Sequence, residues 1–178
     1  MSTAAIILLI IAGIIALVII MAFIIGKEMN IERSIIIKKP KQVVFDYIKF
    51  VKNHDNFSVW NQMDPDMKKE YRGTDGQVGF VFLWESLKEK NVGKGEQEIK
   101  AINEGESIEF EIRFIKPWEN KAKAKMKLEN AGNDTKITWG FYSQMAYPMN
   151  VMKGMFAKML GKDLSKGLEN LKTVLEKN

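Results

Sequence analysis

The chain has 178 residues, with 27 Lys and Arg against 22 Asp and Glu, a net charge of +5, and no cysteine. The absence of cysteine excludes disulfide staples and thiolate chemistry and fits a reducing compartment. Every charged residue lies after position 25, so the whole basic excess belongs to the polar part of the chain, as suits a domain lying near anionic lipid.

The first element is the apolar run Ala4 to Ile25, which contains no polar residue. At about 1.5 Å per residue it is long enough to cross a hydrocarbon core of roughly 30 Å. No basic residue precedes it, it exceeds the usual apolar stretch of a signal peptide, and no A-x-A site follows it. An uncleaved single-pass anchor, with membrane association through residues 4–25, is therefore expected. Lys27, Arg33, Lys38, Lys39 and Lys41 follow closely, which predicts an outside N-terminus and a cytoplasmic domain. The expected division is 1–26 as tail and transmembrane helix and 27–178 as one domain with a single core. Only Gly26 to Asn30 separate the span from the first strand, a reach of at most about 18 Å, so the domain must sit close to the membrane.

The β-branched run Ile31 to Ile37 predicts a strand. Pro40 to about Lys52 reads as a helix, with Val43, Val44, Tyr47, Ile48 and Val51 at helical spacing, and a short second helical turn is expected from His54 to about Gln62. Six strands follow: Met67 to Arg72, Val78 to Trp84, Gly95 to Ile102, Ser107 to Phe114, Lys121 to Glu129 and Thr135 to Tyr142. Their connections "TDG", "NEGE" and "NAGND" are hairpin turns, so the strands form an antiparallel meander. Ile108, Phe110, Ile112 and Phe114 alternate with Glu109, Glu111 and Arg113, and Ala122, Ala124, Met126 and Leu128 alternate with a row of lysines. One face is solvated and the other covered. The cover is a helix from about Met149 to Lys177, roughly 40 Å long, with Met152, Met155, Phe156, Met159, Leu160, Leu164, Leu168, Leu171 and Leu175 on one face. Gly161 and Gly167 would permit a bend, and Gly79, Gly93 and Gly95 suit bulges that curve the sheet.

The set "FSVWNQMDPDMKKEYRG", "GQVGFVFLWE", "VGKGEQEI", "FIKPWE", "TKITWGF" and "GKDLSKGLENLKTVLE" resembles the START-like helix-grip (SRPBCC) superfamily, in its polyketide cyclase/dehydrase-like branch. The resemblance covers essentially residues 31–177. It implies an α+β fold of β-α-α-β6-α order, with a curved antiparallel sheet around a long C-terminal helix and a hydrophobic ligand cavity between them. It does not imply one activity, since the superfamily includes lipid carriers, hormone receptors, aromatase/cyclases and chaperone-associated modules.

Within that frame the expected cavity lining is Trp60, Tyr71, Phe80, Phe82, Trp84, Phe110, Ile112, Phe114, Met126, Trp139 and Phe141, opposed by Met152, Met155, Phe156 and Met159. The methionines offer a deformable wall for apolar guests, and the indole N–H groups of Trp60 and Trp84 need partners if buried. Asp64-Pro65 reads as a turn whose carboxylate accepts local N–H groups. His54 reads as a surface or capping residue. An acid or base for catalysis would have to come from Tyr71, Glu85 or Asp64. No metal site is expected from one histidine and no cysteine, and no cofactor either: the glycines at 93–95 precede a strand, unlike a phosphate loop. Nucleic acid is not an expected partner, because the lysines of "KAKAKMK" alternate along a strand with no basic helix beside them. The expectation is a monomeric, non-enzymatic binder of a lipid or other hydrophobic small molecule. A cyclase/dehydratase-type enzyme and a ligand-free interaction module are the alternatives.

The charge distribution predicts the topology directly. Protease added to sealed, outside-out membrane vesicles should leave the domain intact, and the same protease should digest it in inverted vesicles; the reverse pattern would place the domain outside.

Overall fold

The computed structural model describes residues 2–89 and 92–177. The chain runs α1 (Thr3–Ile25), β1 (Glu28–Ile37), α2 (Lys41–Ile48), a 3-10 turn (Val51–Asn56), α3 (Val59–Met63), β2 (Lys68–Arg72), β3 (Val81–Glu85), β4 (Lys94–Asn103), β5 (Ser107–Lys116), β6 (Asn120–Ala131), β7 (Asp134–Gln144), a second 3-10 turn (Met149–Met152) and α4 (Lys153–Glu176). The seven strands form one sheet in the order β1-β7-β6-β5-β4-β3-β2, and every neighbouring pair is antiparallel.

The differences from expectation lie at element ends. β1 begins at Glu28, so only Gly26 and Lys27 separate it from α1. β3 starts at Val81 rather than Val78, because Gly79 takes φ +87° and the Phe80 N–H turns back to the Gln77 carbonyl. The first helix of the domain stops at Ile48, and the 3-10 turn after it is held by Asp75, whose carboxylate accepts the backbone N–H groups of Val51 at 2.8 Å and Lys52 at 3.2 Å.

The sheet is amphipathic because its strands alternate. Ile99, Phe110, Ala124 and Phe141 face inward in one row, and Ile108, Met126 and Trp139 in the next. On the convex face Arg113 pairs with Glu96, Glu98 and Glu111, and Lys125 with Glu109. Curvature is assisted where β4 shifts register between Lys94 and Gly95. A Cβ at Gly95 would lie 2.5 Å from the Trp84 ring, so glycine lets that indole lie against the strand.

α4 closes the inner face. Leu164, Leu168, Leu171 and Leu175 are buried along it. The helix runs as one element; Gly161 faces the Arg33 guanidinium, and Gly167 serves close approach, since a Cβ there would sit 2.9 Å from the Trp139 ring.

α1 is apolar on all sides, and among its described residues only Ala22 is buried. It is long and apolar enough to cross a membrane, and it touches the rest of the fold at its last turn. The carbonyls of that turn have no partner within the helix. Asn150 Nδ2 donates to the carbonyls of Ala22 at 2.6 Å and Gly26 at 3.0 Å. Lys153 Nζ donates to that of Ile25 at 2.8 Å, which also sets a cation at the negative end of the helix dipole. The Phe23 ring packs on Tyr147 at 5.0 Å, and the Lys27 ammonium lies 4.3 Å from the same ring.

The close approach at Gly167 makes a testable demand. Gly167→Val should force Trp139 out of its seat and cost about 1–3 kcal/mol, as overpacking does. Thermal unfolding of the full chain in detergent would register this as a lowered midpoint.

Candidate ligand-binding site

The concave face of the sheet gathers the expected aromatic lining. Phe80, Phe82, Phe110, Met126, Trp139 and Phe141 are buried. Ring contacts link several of these side chains: Tyr71 stacks on Phe80 and Phe82, Phe82 meets Trp84, and Trp84 meets Phe114 edge-on at 6.2 Å. Trp60 on α3 meets Trp139 edge-on at 6.2 Å. The polar end of Trp84 is satisfied, since Nε1–H donates to the Val92 carbonyl at 3.1 Å.

The opposite wall differs from expectation. Phe156 and Leu160 pack against this core, whereas Met152, Met155 and Met159 are exposed. Met155 and Met159 on α4, with Met152 at the end of the 3-10 turn before it, lie on a side rotated away from the leucine face that seats on the sheet. Tyr71 is likewise partly open to solvent.

Burial is graded along the fold. At the end remote from α1, Ile99, Ile108, Ile137, Leu168 and Leu171 are essentially inaccessible. At the end beside α1, Met29, Ala122 and Val92 are buried on the sheet, but Ile112, Phe114 and Trp84, and along the helix Phe156 and Leu160, are only partly buried. The grip of sheet on helix is tight at one end and loose at the other. Two hollows open on the surface. One, of about 360 Å³, is lined by Arg33, Lys158, Gly161, Lys162, Ser165, Lys166 and Glu169. The other, of about 290 Å³, is lined by Arg113, Phe114, Ile115, Glu119, Asn120 and Lys121. Of the expected cavity residues only Phe114 borders either.

The three candidate catalytic groups are not brought together. Asp64 is buried, with Oδ1 accepting the Asp66 N–H at 3.1 Å and Oδ2 accepting the Ser86 hydroxyl at 2.5 Å. Ser86 Oγ accepts the Glu89 N–H in turn, so Asp64 ties its turn to the end of β3. Glu85 lies on the face of β3 opposite Phe82 and Trp84 and pairs with Lys94 at 3.1 Å. Tyr71 is at the far end of β2, and burial together with the nearby Asp55 and Asp75 holds its phenol above the ordinary value.

His54 corrects the surface expectation. It is 4% exposed, its ring lies 5.1 Å from Phe57 and 5.6 Å from Phe110, and Nε2 is 3.0 Å from the Ile48 carbonyl. That geometry has Nε2–H donating. The flanking sequence is polar, but the 3-10 turn rotates this one ring inward. Desolvation holds its pKa below the ordinary 6.5, against the opposing pull of the Ile48 carbonyl, Asp75 and Asp55. Asn150 was also missed; its only sequence signal is an amide set within a methionine-rich segment.

A long helix held in a curved antiparallel sheet, with short helices between the first two strands, defines the helix-grip class. The chain belongs to the polyketide cyclase/dehydrase and lipid transport family, whose model matches residues 28–176. Solved structures agree on the fold. Ara h 8.0201 is 18% identical with a TM-score of 0.56, covering 85% of this chain and 99% of its own. The Aha1 dimer from Colwellia psychrerythraea is 15% identical with a TM-score of 0.57, covering 83% and 96%. MLL2253 from Mesorhizobium loti is 11% identical with a TM-score of 0.61, covering 84% and 98%. Among curated proteins none matches the chain.

The buried histidine generates a pH dependence with a definite sign. Its folded-state pKa lies below the unfolded value near 6.5, so below that pH the unfolded chain binds more protons and stability falls. The contribution is intact above about pH 6.5 and is lost as pH drops toward the folded pKa. The unfolding midpoint should decline between about pH 7.5 and 5.5, and His54→Gln should flatten that decline.

Proposed function

We propose that the chain is a membrane-anchored binding protein for a lipid or other hydrophobic small molecule. Residues 1–26 serve as the anchor and residues 27–178 as a cytoplasmic binding domain. The observation that carries this reading is the burial gradient. The packing of α4 on the sheet is loosest beside α1, where Trp84, Ile112, Phe114, Phe156 and Leu160 are incompletely covered. A guest entering there would replace solvent contact on these side chains, at about 25 cal/mol per Å² of apolar surface removed from water. The same interior offers an enzyme little. Asp64 is engaged by Ser86 and a backbone N–H, and Glu85 is paired on the outer face, so these two carboxylates do not converge on the apolar interior.

The test is native mass spectrometry of the full chain extracted in detergent, with oleate added. Wild type should carry an apolar adduct. Ala122→Phe adds a ring beside Ile112, with which Ala122 pairs, and should lose the adduct while keeping a cooperative unfolding transition. A wild-type protein that takes up no apolar molecule would leave the ligand-free interaction module as the better reading.

A further inference from the structure

We propose that the end of the sheet beside α1 is itself a bilayer-docking face, on which Met149, Met155 and Trp118 enter the lipid headgroup region. This rests on the reading of α1 as a membrane anchor.

The strand register puts three connections at one end. Glu28 of β1 pairs with Gln144 of β7, Ser143 with Ala122 of β6, Asn120 with Phe114 of β5, Lys116 with Lys94 of β4, and Lys94 with Glu85 of β3. The turn from β5 to β6, the start of the connection after β3, and the segment joining β7 to α4 therefore all lie where β1 leaves α1. Each presents large apolar surface. Trp118 is 79% exposed at the tip of its turn, Leu87 is 92% exposed after β3, Met149 is 51% exposed on the segment between β7 and α4, and Met155 in the first turn of α4 that follows is 57% exposed. None of these four supports the core.

Depth follows from arithmetic on α1. Its 23 residues span about 35 Å at 1.5 Å per residue, slightly more than a hydrocarbon core of roughly 30 Å. Ala22, one turn from the end, is the residue whose carbonyl Asn150 grips. The Met149–Met152 turn is therefore fixed at the level where the hydrocarbon ends. With two residues between α1 and β1, the adjoining sheet end has no room to move away.

The chemistry fits that depth. Tryptophan favours the membrane–water boundary, where its ring is in apolar surroundings and its N–H stays wet. Trp118 stands between Lys116 and Lys121, with Glu119 beside it; at a membrane surface lysine stems lie along apolar surface while their ammonium groups reach anionic headgroups. Methionine side chains adapt to an irregular apolar surface. A hydrophobic guest would then pass between bilayer and domain without crossing bulk water.

The natural chain has no cysteine, so single spin labels can be placed cleanly. Trp118→Cys, Met155→Cys, Val78→Cys and Ile14→Cys are labelled in the full chain and reconstituted in phosphatidylcholine–phosphatidylglycerol vesicles. Collision with oxygen reports lipid exposure, and collision with an aqueous nickel chelate reports water. Val78 is 61% exposed on the β2–β3 connection at the opposite end and is the matched control; Ile14 reports the anchor. The expected result is a several-fold higher oxygen-to-nickel ratio at Trp118 and Met155 than at Val78. If Ile14 lies in lipid while either Trp118 or Met155 matches Val78, the docking face is overturned and the anchor stands. If Ile14 is itself open to nickel, the anchor reading fails and the docking face with it.

Discussion

The carbonyl oxygens in the last turn of α1 have no donors within the helix, and meeting that need organises the molecule. Asn150 and Lys153 supply the donors. Both lie at the junction of β7 and α4, so capping the apolar helix also fixes where α4 begins. β1 then enters the sheet beside β7, and the Met145 N–H donates to the Lys27 carbonyl at 2.9 Å. The joint has a cost, since Asn150 Oδ1 is buried without a partner among the described residues. An unmet acceptor of that kind costs about 1–3 kcal/mol, which the two amide N–H bonds must outweigh.

From that joint the fold runs toward increasing burial. Near α1 the helix meets the sheet through Phe156 and Leu160, both partly covered. Further along, Leu164, Leu168 and Leu171 are sealed against the sheet. Gly167 allows the last part of this approach by admitting the Trp139 ring. The tight end supplies stability, and at the loose end Phe156 and Leu160 keep part of their apolar surface in contact with solvent.

Charge follows a separate logic on the outer face. Arg113 gathers Glu96, Glu98 and Glu111 from its own and the adjacent strand, and Lys125 crosses to Glu109. These pairs are part-exposed, so each adds little stability alone. Together they keep the convex surface polar and the register unambiguous, because a one-residue slip would turn the lysines inward.

Much of this was legible in the sequence. The unbroken apolar run announced a helix able to cross a membrane, alternation in β5 and β6 announced a one-sided sheet, and turn residues separated its strands. These signals are local: each follows from the period of side chains along a helix or strand and from turn chemistry. Tertiary packing alone decided the rest. His54 reads as polar surface from its neighbours, yet a 3-10 turn places it among aromatic rings. Met152, Met155 and Met159 read as core by spacing, yet α4 seats on its leucine face and leaves them outside. Periodicity says which residues share a face but not how far that face is rotated when two elements meet. Only the fit of side-chain volumes, and of donors such as Asn150 to distant carbonyls, determines that rotation.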